Sequence, residues 1–269
     1  MRGFITLAVV VLSVSAQAVE LNGSLIQGGM IWGKVEPGSR VELGKYTVAV
    51  ADNGVFAAGF DRDAPASVPL KICRGDACQT QMLSIEQREY AIQRVNGVPQ
   101  KTVTPPADVL ERIRREAALV RKARQHYEPR QDFTGDFVWP LSGPVTGVFG
   151  SQRVYNGTPG RPHYGVDVAR PTGTVVTAPM SGLVTLVHDE MFYSGGTLII
   201  DHGQGISSTF IHLSKVLVNE GDEIAQGQAI AEVGATGRAT GPHLDWRLNW
   251  FGQRLDPQLL VGEMPEMSQ

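Results

Sequence analysis

After Gly135 the chain runs as short, glycine-punctuated segments, at 174–178, 182–187, 197–201, 208–212 and 229–233, without a long helical period. Segments of this length are strands, because the flanking glycines allow the tight turns that end them. Turn residues recur every ten residues or so, which predicts an antiparallel all-β domain. Gly221-Asp222 and Gly227-Gln228 echo each other, but there is no true repeat.

Upstream the texture is also β. Val41 and Leu43, then Tyr46, Val48 and Val50, alternate with polar residues, and Asp52-Asn53-Gly54 precedes Val55. Period-two alternation broken by Asn-Gly predicts hairpins. A second hairpin brackets the two cysteines, with Val68, Leu70 and Ile72 on one arm and Leu83 on the other. Cys73 and Cys78 can close its tip as a disulfide in an oxidising compartment. Two free thiols or half of a zinc site are the alternatives, although no second cysteine pair exists to complete a four-sulfur site. A small immunoglobulin-like β-sandwich is expected over 19–100. Between the two β regions, residues 107–127 follow Thr104-Pro105-Pro106 and place Leu110, Ile113, Ala117 and Val120 at helical spacing. This predicts a linking helix whose basic residues form a solvated face.

The chain opens with Arg2, an apolar run over 4–14, and Ser15-Ala16-Gln17-Ala18, the order of a secretory signal cleaved after Ala18. No later stretch approaches the ~20 apolar residues that span a bilayer. A formal net charge of −3 gives no electrostatic grip on nucleic acid or anionic lipid. The expected organisation is a signal peptide at 1–18, a β-sandwich at 19–100, a helical linker at 101–134, a β domain at 135–262 and a tail at 263–269.

Three of the six histidines sit in company that folding does not require. His163 opens His163-Tyr164-Gly165-Val166-Asp167, His212 closes Phe210-Ile211-His212, and His243 lies in Gly241-Pro242-His243-Leu244-Asp245. On a strand, residues two apart share a face, so His243 and Asp245 point together. Imidazoles and carboxylates gathered in this way suit zinc, and three protein ligands would leave a position for water. Zinc lowers the pKa of bound water to roughly 7, which supplies a nucleophile at neutral pH. Histidines that do not bind the ion can then take a proton or stabilise an oxyanion. His188 and His202 lack such partners, His202 reading as a turn residue, and His126 falls on the linker helix.

From these residues the segment 137–260 resembles the LytM (lysostaphin-like, M23) catalytic domain, an antiparallel β fold of the duplicated-hybrid-motif type. Trp139-Pro140-Leu141, Gly147-Val148-Phe149-Gly150, the His163-x-x-x-Asp167 motif, Ala178-Pro179-Met180-Ser181-Gly182, Phe210-Ile211-His212-Leu213-Ser214, Gly234-Ala235-Thr236-Gly237 and Gly241-Pro242-His243-Leu244 occur in family order. The resemblance implies that His163 and Asp167 bind zinc, that His212 and His243 are catalytic, and that position 245 holds the third ligand. Here the chain departs from the family's His-x-His, because residue 245 is Asp. A carboxylate can bind zinc, but it makes the site more negative.

The expected function is a zinc-dependent endopeptidase acting on peptide bonds in peptidoglycan stems or cross-links, in the periplasm of a Gram-negative bacterium. The rival within the same fold is a degenerate domain that binds peptidoglycan or regulates a wall amidase. A biotinyl-type carrier is disfavoured, because no lysine lies between Arg170 and His212 to carry the group. Arg247 shares the face of Asp245 and could pair with it, and Tyr155 lies within reach of the site. For the N-terminal region, placement, binding of a protein partner and occlusion of the groove all stay open.

Overall fold

The computed structural model describes residues 19–95 and 109–265. The signal peptide at 1–18, the Thr104-Pro105-Pro106 start of the linker and the end of the tail lie outside them. The described chain is mainly β with one α-helix.

Before the helix come β1 (Leu21–Gly23), β2 (Met30–Lys34), β3 (Arg40–Leu43), β4 (Tyr46–Val48), β5 (Val55–Gly59), β6 (Ser67–Arg74), β7 (Ala77–Ser84) and β8 (Ile92–Val95). They make two small antiparallel sheets, β1-β2-β5 and β4-β3-β6-β7, while β8 leaves to join a different sheet. The alternation read from the sequence buries Val41, Leu43 and Leu70 beside Ile31 and Phe56 of the other sheet. The cysteine hairpin forms as expected, with Cys73 opposite Cys78 and the two joined as a disulfide. The Asn53-Gly54 turn also forms, but not as a hairpin loop. Its ladder stops after the single bridge of Val50 to Phe56, because β4 continues into one sheet and β5 into the other.

Helix α1 (Leu110–Arg124) is shorter than the sequence period suggested, since residues 125–127 leave it. Glu111 in the first turn and Arg121, Lys122 and Arg124 in the last complement the helix dipole. Its basic residues are not all on a solvated face, because Arg124 is only 8% exposed. The helix docks through Val120 and Ala123 on Leu186, Met191 and Ile199. Glu116 accepts from the backbone N–H of Phe192 at 2.8 Å, which ties the helix to the loop it overlies.

Next come β9 (Val145–Gly147), β10 (Gln152–Tyr155), β11 (Thr158–Pro159), β12 (Val166–Ala169), β13 (Val175–Thr177), β14 (Gly182–Met191) and β15 (Gly195–Gly203). The chain continues through β16 (Ile206–Leu213), β17 (Lys215–Val216), β18 (Glu223–Ile224), β19 (Ala229–Glu232), β20 (His243–Trp250) and β21 (Gln253–Leu255). One large antiparallel sheet runs β18-β14-β15-β16-β20-β12-β9 with β21 on the edge of β20, and a small sheet runs β13-β19-β17. One face of the large sheet carries Val166, Val168, Phe210, Leu244, Trp246 and Leu248, all fully buried. Each such aliphatic side chain contributes roughly 1.5–3 kcal/mol on burial. The opposite face is therefore free to be polar. This core continues into the N-terminal sheets, where a Cβ on Gly59 would meet Leu255 at 2.5 Å. Strand β8 also crosses over, pairing parallel to β10 just ahead of His163.

Candidate metal centre

The register of β12 against β20 sets Asp167 opposite Asp245 and Ala169 opposite His243. Because Val166, Val168, Leu244 and Trp246 point into the core, the alternating residues Asp167, His243, Asp245 and Arg247 share the polar face. His163 reaches this face from the preceding loop. Its carbonyl accepts from Gly150 N–H and its N–H donates to Ser151 O, both at 2.8 Å.

His163, Asp167 and Asp245 each offer one ligand atom, and the three lie within 4.8 Å of one another. His163 Nε2 is 3.0 Å from Asp167 Oδ1 and 3.3 Å from Asp245 Oδ2. Two atoms bound tetrahedrally to one zinc, with bonds of about 2.1 Å, stand about 3.4 Å apart, so these separations suit a shared ion. Apart from its ion pair with His163, the buried Asp167 Oδ1 has no hydrogen-bond partner among the described residues. A cation at this point would satisfy that oxygen once His163 gives up its proton. Room for the carboxylates comes from two glycines: a Cβ on Gly147 would collide with Asp167, and one on Gly165 would meet Asp245 Oδ1 at 2.5 Å.

The charges agree with the geometry. Burial alone disfavours a charged His163, but Asp167 and Asp245 outweigh it and push its pKa up to about 10. Without a metal the two carboxylates therefore hold a proton on the imidazole, and a divalent ion would compete for that place. Burial would raise Asp245, yet Arg247 and then His163 hold it well below the usual carboxylate range. Arg247 Nε donates to Oδ1 at 2.9 Å and Oδ2 at 3.1 Å, and Nη2 donates to Oδ2 at 2.6 Å. The added negative charge expected from Asp at 245 is thus met by a guanidinium on the same strand.

His212 and His243 flank the cluster with ring centroids 4.9 Å apart. His212 Nδ1–H donates to Thr236 O and His243 Nδ1–H to Gly241 O, each at 2.8 Å. These bonds orient both rings through Nδ1 and leave each Nε2 available. Burial lowers the pKa of His212, the Thr236 carbonyl opposing it, so its ring is neutral near pH 7. His212 also sits at φ +65°, a left-handed conformation that is costly for a residue with a Cβ and is often found where function holds it.

The remaining histidines lie elsewhere. His202 is not a turn residue: it ends β15 fully buried, with Nδ1–H donating to Ser181 O at 2.7 Å and Nε2 paired with Ser208 Oγ at 2.8 Å. Burial pushes its pKa down to about 4. His126 lies beyond α1 and bonds Asp201 at 2.8 Å, and His188 accepts from the Glu190 N–H at 3.1 Å. Tyr155 lies on β10, its ring beside Gly160. Sequence reasoning missed Gly147 and Gly165 as groups that make room for the ligands. Their only signal was their position inside motifs singled out for other residues.

Residues 161–257 match the family model for peptidase family M23. The peptidoglycan DD-endopeptidase ShyA of Vibrio cholerae is 41% identical over 87 residues, covering 32% of this chain and 20% of that protein. The DD-carboxypeptidase/endopeptidase Mpg of Neisseria meningitidis is 37% identical over 109 residues, covering 40% of this chain and 25% of that protein. The matched segment thus spans a fifth to a quarter of these relatives. A crystal structure from Pseudomonas aeruginosa assigned to peptidase M23 superposes with a TM-score of 0.70 at 29% identity, covering 89% of this chain and 96% of that one. Over residues 161–257 this chain carries a domain of peptidase family M23.

Proposed function

We propose that this chain is a zinc-dependent endopeptidase that hydrolyses peptide bonds in peptidoglycan stems or cross-links. The observation that carries the reading is that His163, Asp167 and Asp245 each bring a ligand atom within 4.8 Å of the others. The peptidoglycan activities printed in the names of ShyA and Mpg support the substrate class.

In this reading His163, Asp167 and Asp245 hold the zinc. Bound there, zinc would acidify a water molecule and polarise a peptide carbonyl. His212, neutral and with Nε2 free, accepts the proton from the attacking water and later delivers it to the leaving amine. His243, beside it on the sheet face, stabilises the oxyanion through Nε2–H when its ring carries both protons. Arg247 holds the Asp245 carboxylate in place, donating to both its oxygens, including the Oδ2 that faces His163. The N-terminal sheets and α1 act as a frame that a protein partner or the wall could engage. The proposed setting is the periplasm of a Gram-negative bacterium, reached by a signal peptide at 1–18, with domains at 19–100 and 135–262 joined by a linker at 101–134.

Zinc content per chain tests this reading, comparing wild type with Asp245→Ala after mild dialysis alongside peptidoglycan digestion. One zinc and digestion in the wild type, both lost in the variant, are expected. No zinc and no digestion in the wild type would instead identify a degenerate domain that binds peptidoglycan or regulates a wall amidase.

A further inference from the structure

The orientation of His163 depends on the loop between β9 and β10. Gly150 N–H donates to His163 O and His163 N–H to Ser151 O, each at 2.8 Å, and His163 Nδ1 lies 3.3 Å from Val148 O. A backbone carbonyl that accepts from one ring nitrogen of a metal-binding histidine sets the direction of the other. Residues 148–151 therefore aim Nε2 toward Asp167 and Asp245.

That loop is in turn gripped by the N-terminal region. Arg62, in the turn after β5, is 8% exposed, and its Nε and Nη2 both donate to Gly150 O, at 3.0 and 2.9 Å. Gly150 thus links the two sides, its N–H bonded to His163 and its carbonyl to Arg62. The Arg62 guanidinium stacks 4.2 Å from the centroid of the Tyr90 ring, and the Tyr90 hydroxyl donates back to Arg62 O at 3.1 Å. The same ring fills the space beside Gly150, where a Cβ would collide with it. Phe149 meets Tyr90 edge to face with centroids 6.3 Å apart, and Gln152 N–H donates to Ala91 O at 3.0 Å where β8 joins β10. Packing alone would not call for a charge here, because burying a guanidinium costs free energy that burying an apolar side chain does not. Two donors converging on one carbonyl fix that peptide in direction as well as in position.

We infer that Arg62 is a positioning residue of the metal centre: through the Gly150 carbonyl it holds residues 148–151 and, through them, keeps the His163 ring where it can share an ion with Asp167 and Asp245. Tyr90 keeps the guanidinium in that pose. The pairing of β8 with β10 extends the same grip along the chain to Tyr155. The inference rests on the reading of His163, Asp167 and Asp245 as zinc ligands, and it makes the N-terminal region a working part of the site.

Zinc affinity of the full chain, read by competition with a chromophoric chelator, and amide hydrogen exchange of the metal-free chain test this together. Arg62→Gln should weaken zinc binding by about tenfold or more and speed exchange at Gly150 and His163. Arg62→Lys keeps the charge and one donor, so it should lose only a few-fold, and it carries the test if the Gln variant does not fold. Gln204→Ala is the control for general damage to the contact between the two regions, since Gln204 Oε1 accepts from Ala57 N–H and Nε2 donates to Val55 O, each at 3.1 Å. It should destabilise the chain yet leave zinc affinity and both amides as in the wild type. Unchanged zinc affinity in the Arg62 variants, or an equal loss in Gln204→Ala, overturns the inference. A wild type whose zinc affinity depends on Arg62 but which digests no peptidoglycan leaves the inference standing while the hydrolytic reading falls, and a wild type that binds no zinc overturns both.

Discussion

Arg247→Gln in metal-free protein isolates the contribution of the Asp245 pair. The Asp245 side chain is 3% exposed and receives three donor contacts of 2.6 to 3.1 Å from Arg247. Removing one partner of a buried ion pair costs about 3–5 kcal/mol, because the survivor keeps its desolvation penalty. Two features reduce the figure here. The Arg247 side chain is 26% exposed, so solvent screens part of its charge, and the protonated His163 stays beside Asp245 at 3.3 Å. A loss of about 3 kcal/mol is expected, which for a chain of this size lowers the unfolding midpoint by about 6–12 °C. Urea unfolding of chelator-treated protein at pH 7 measures it. Asp245→Asn in the Arg247→Gln background should return part of the loss, because the stranded charge is gone. A cost below about 1 kcal/mol, or strict additivity of the two substitutions, would show that the pair is solvated and that the argument from burial is wrong.

Two further outcomes follow from single residues. Gly165→Ala places a Cβ at 2.5 Å from Asp245 Oδ1 and 2.6 Å from the Trp246 carbonyl oxygen, so the carboxylate and the β20 backbone beside it must both shift. Zinc affinity, read by competition with a chromophoric chelator, should fall about tenfold or more while the fold persists. His202 titrates at about 4 in the folded chain against an ordinary 6.5, so the unfolded chain takes up the proton first as pH falls. Its contribution is whole above pH 6.5, declines through the interval down to about 4, and totals about 3 kcal/mol. Urea unfolding between pH 7.5 and 4 should show that slope, and His202→Gln should lack it.

The candidate site was legible as two short pairs, whose division into zinc ligands and catalytic histidines came from the resemblance to the M23 family alone. His163 and Asp167 are four residues apart, His243 and Asp245 two, and strand periodicity alone puts each Asp on a known face. The fusion of the two pairs depended on the β12–β20 register, which the sequence does not state but which the burial of Val166, Val168, Leu244 and Trp246 enforces. His202 misled for a related reason: flanked by Asp201 and Gly203 it looks like a turn, yet the Ser181 carbonyl and the Ser208 hydroxyl satisfy its ring inside the core. The Asn53-Gly54 turn marked a reversal correctly but could not say that its flanking strands enter different sheets. Long-range attachments were illegible altogether. Nothing local marks that Arg124, on a helix with a polar appearance, is buried against Thr209, or that β8 adds to β10.

Asp at 245 is best understood together with Arg247. A neutral imidazole at that position would bring no charge to the cluster, whereas a carboxylate brings −1 and would attract a divalent ion more strongly while blunting its acidity. A guanidinium on the same carboxylate, two residues on and on the same face, returns the local sum to that of the imidazole. At an effective dielectric of about 20, a unit charge about 5 Å from a divalent ion interacts with it by several kcal/mol, so neither change alone would be small. The two are of opposite sign and share one strand, which fixes their separation. The pair keeps the electrostatic balance of a His-containing site with different atoms, and it accounts for an aspartate at this position beside His163, Asp167, His212 and His243.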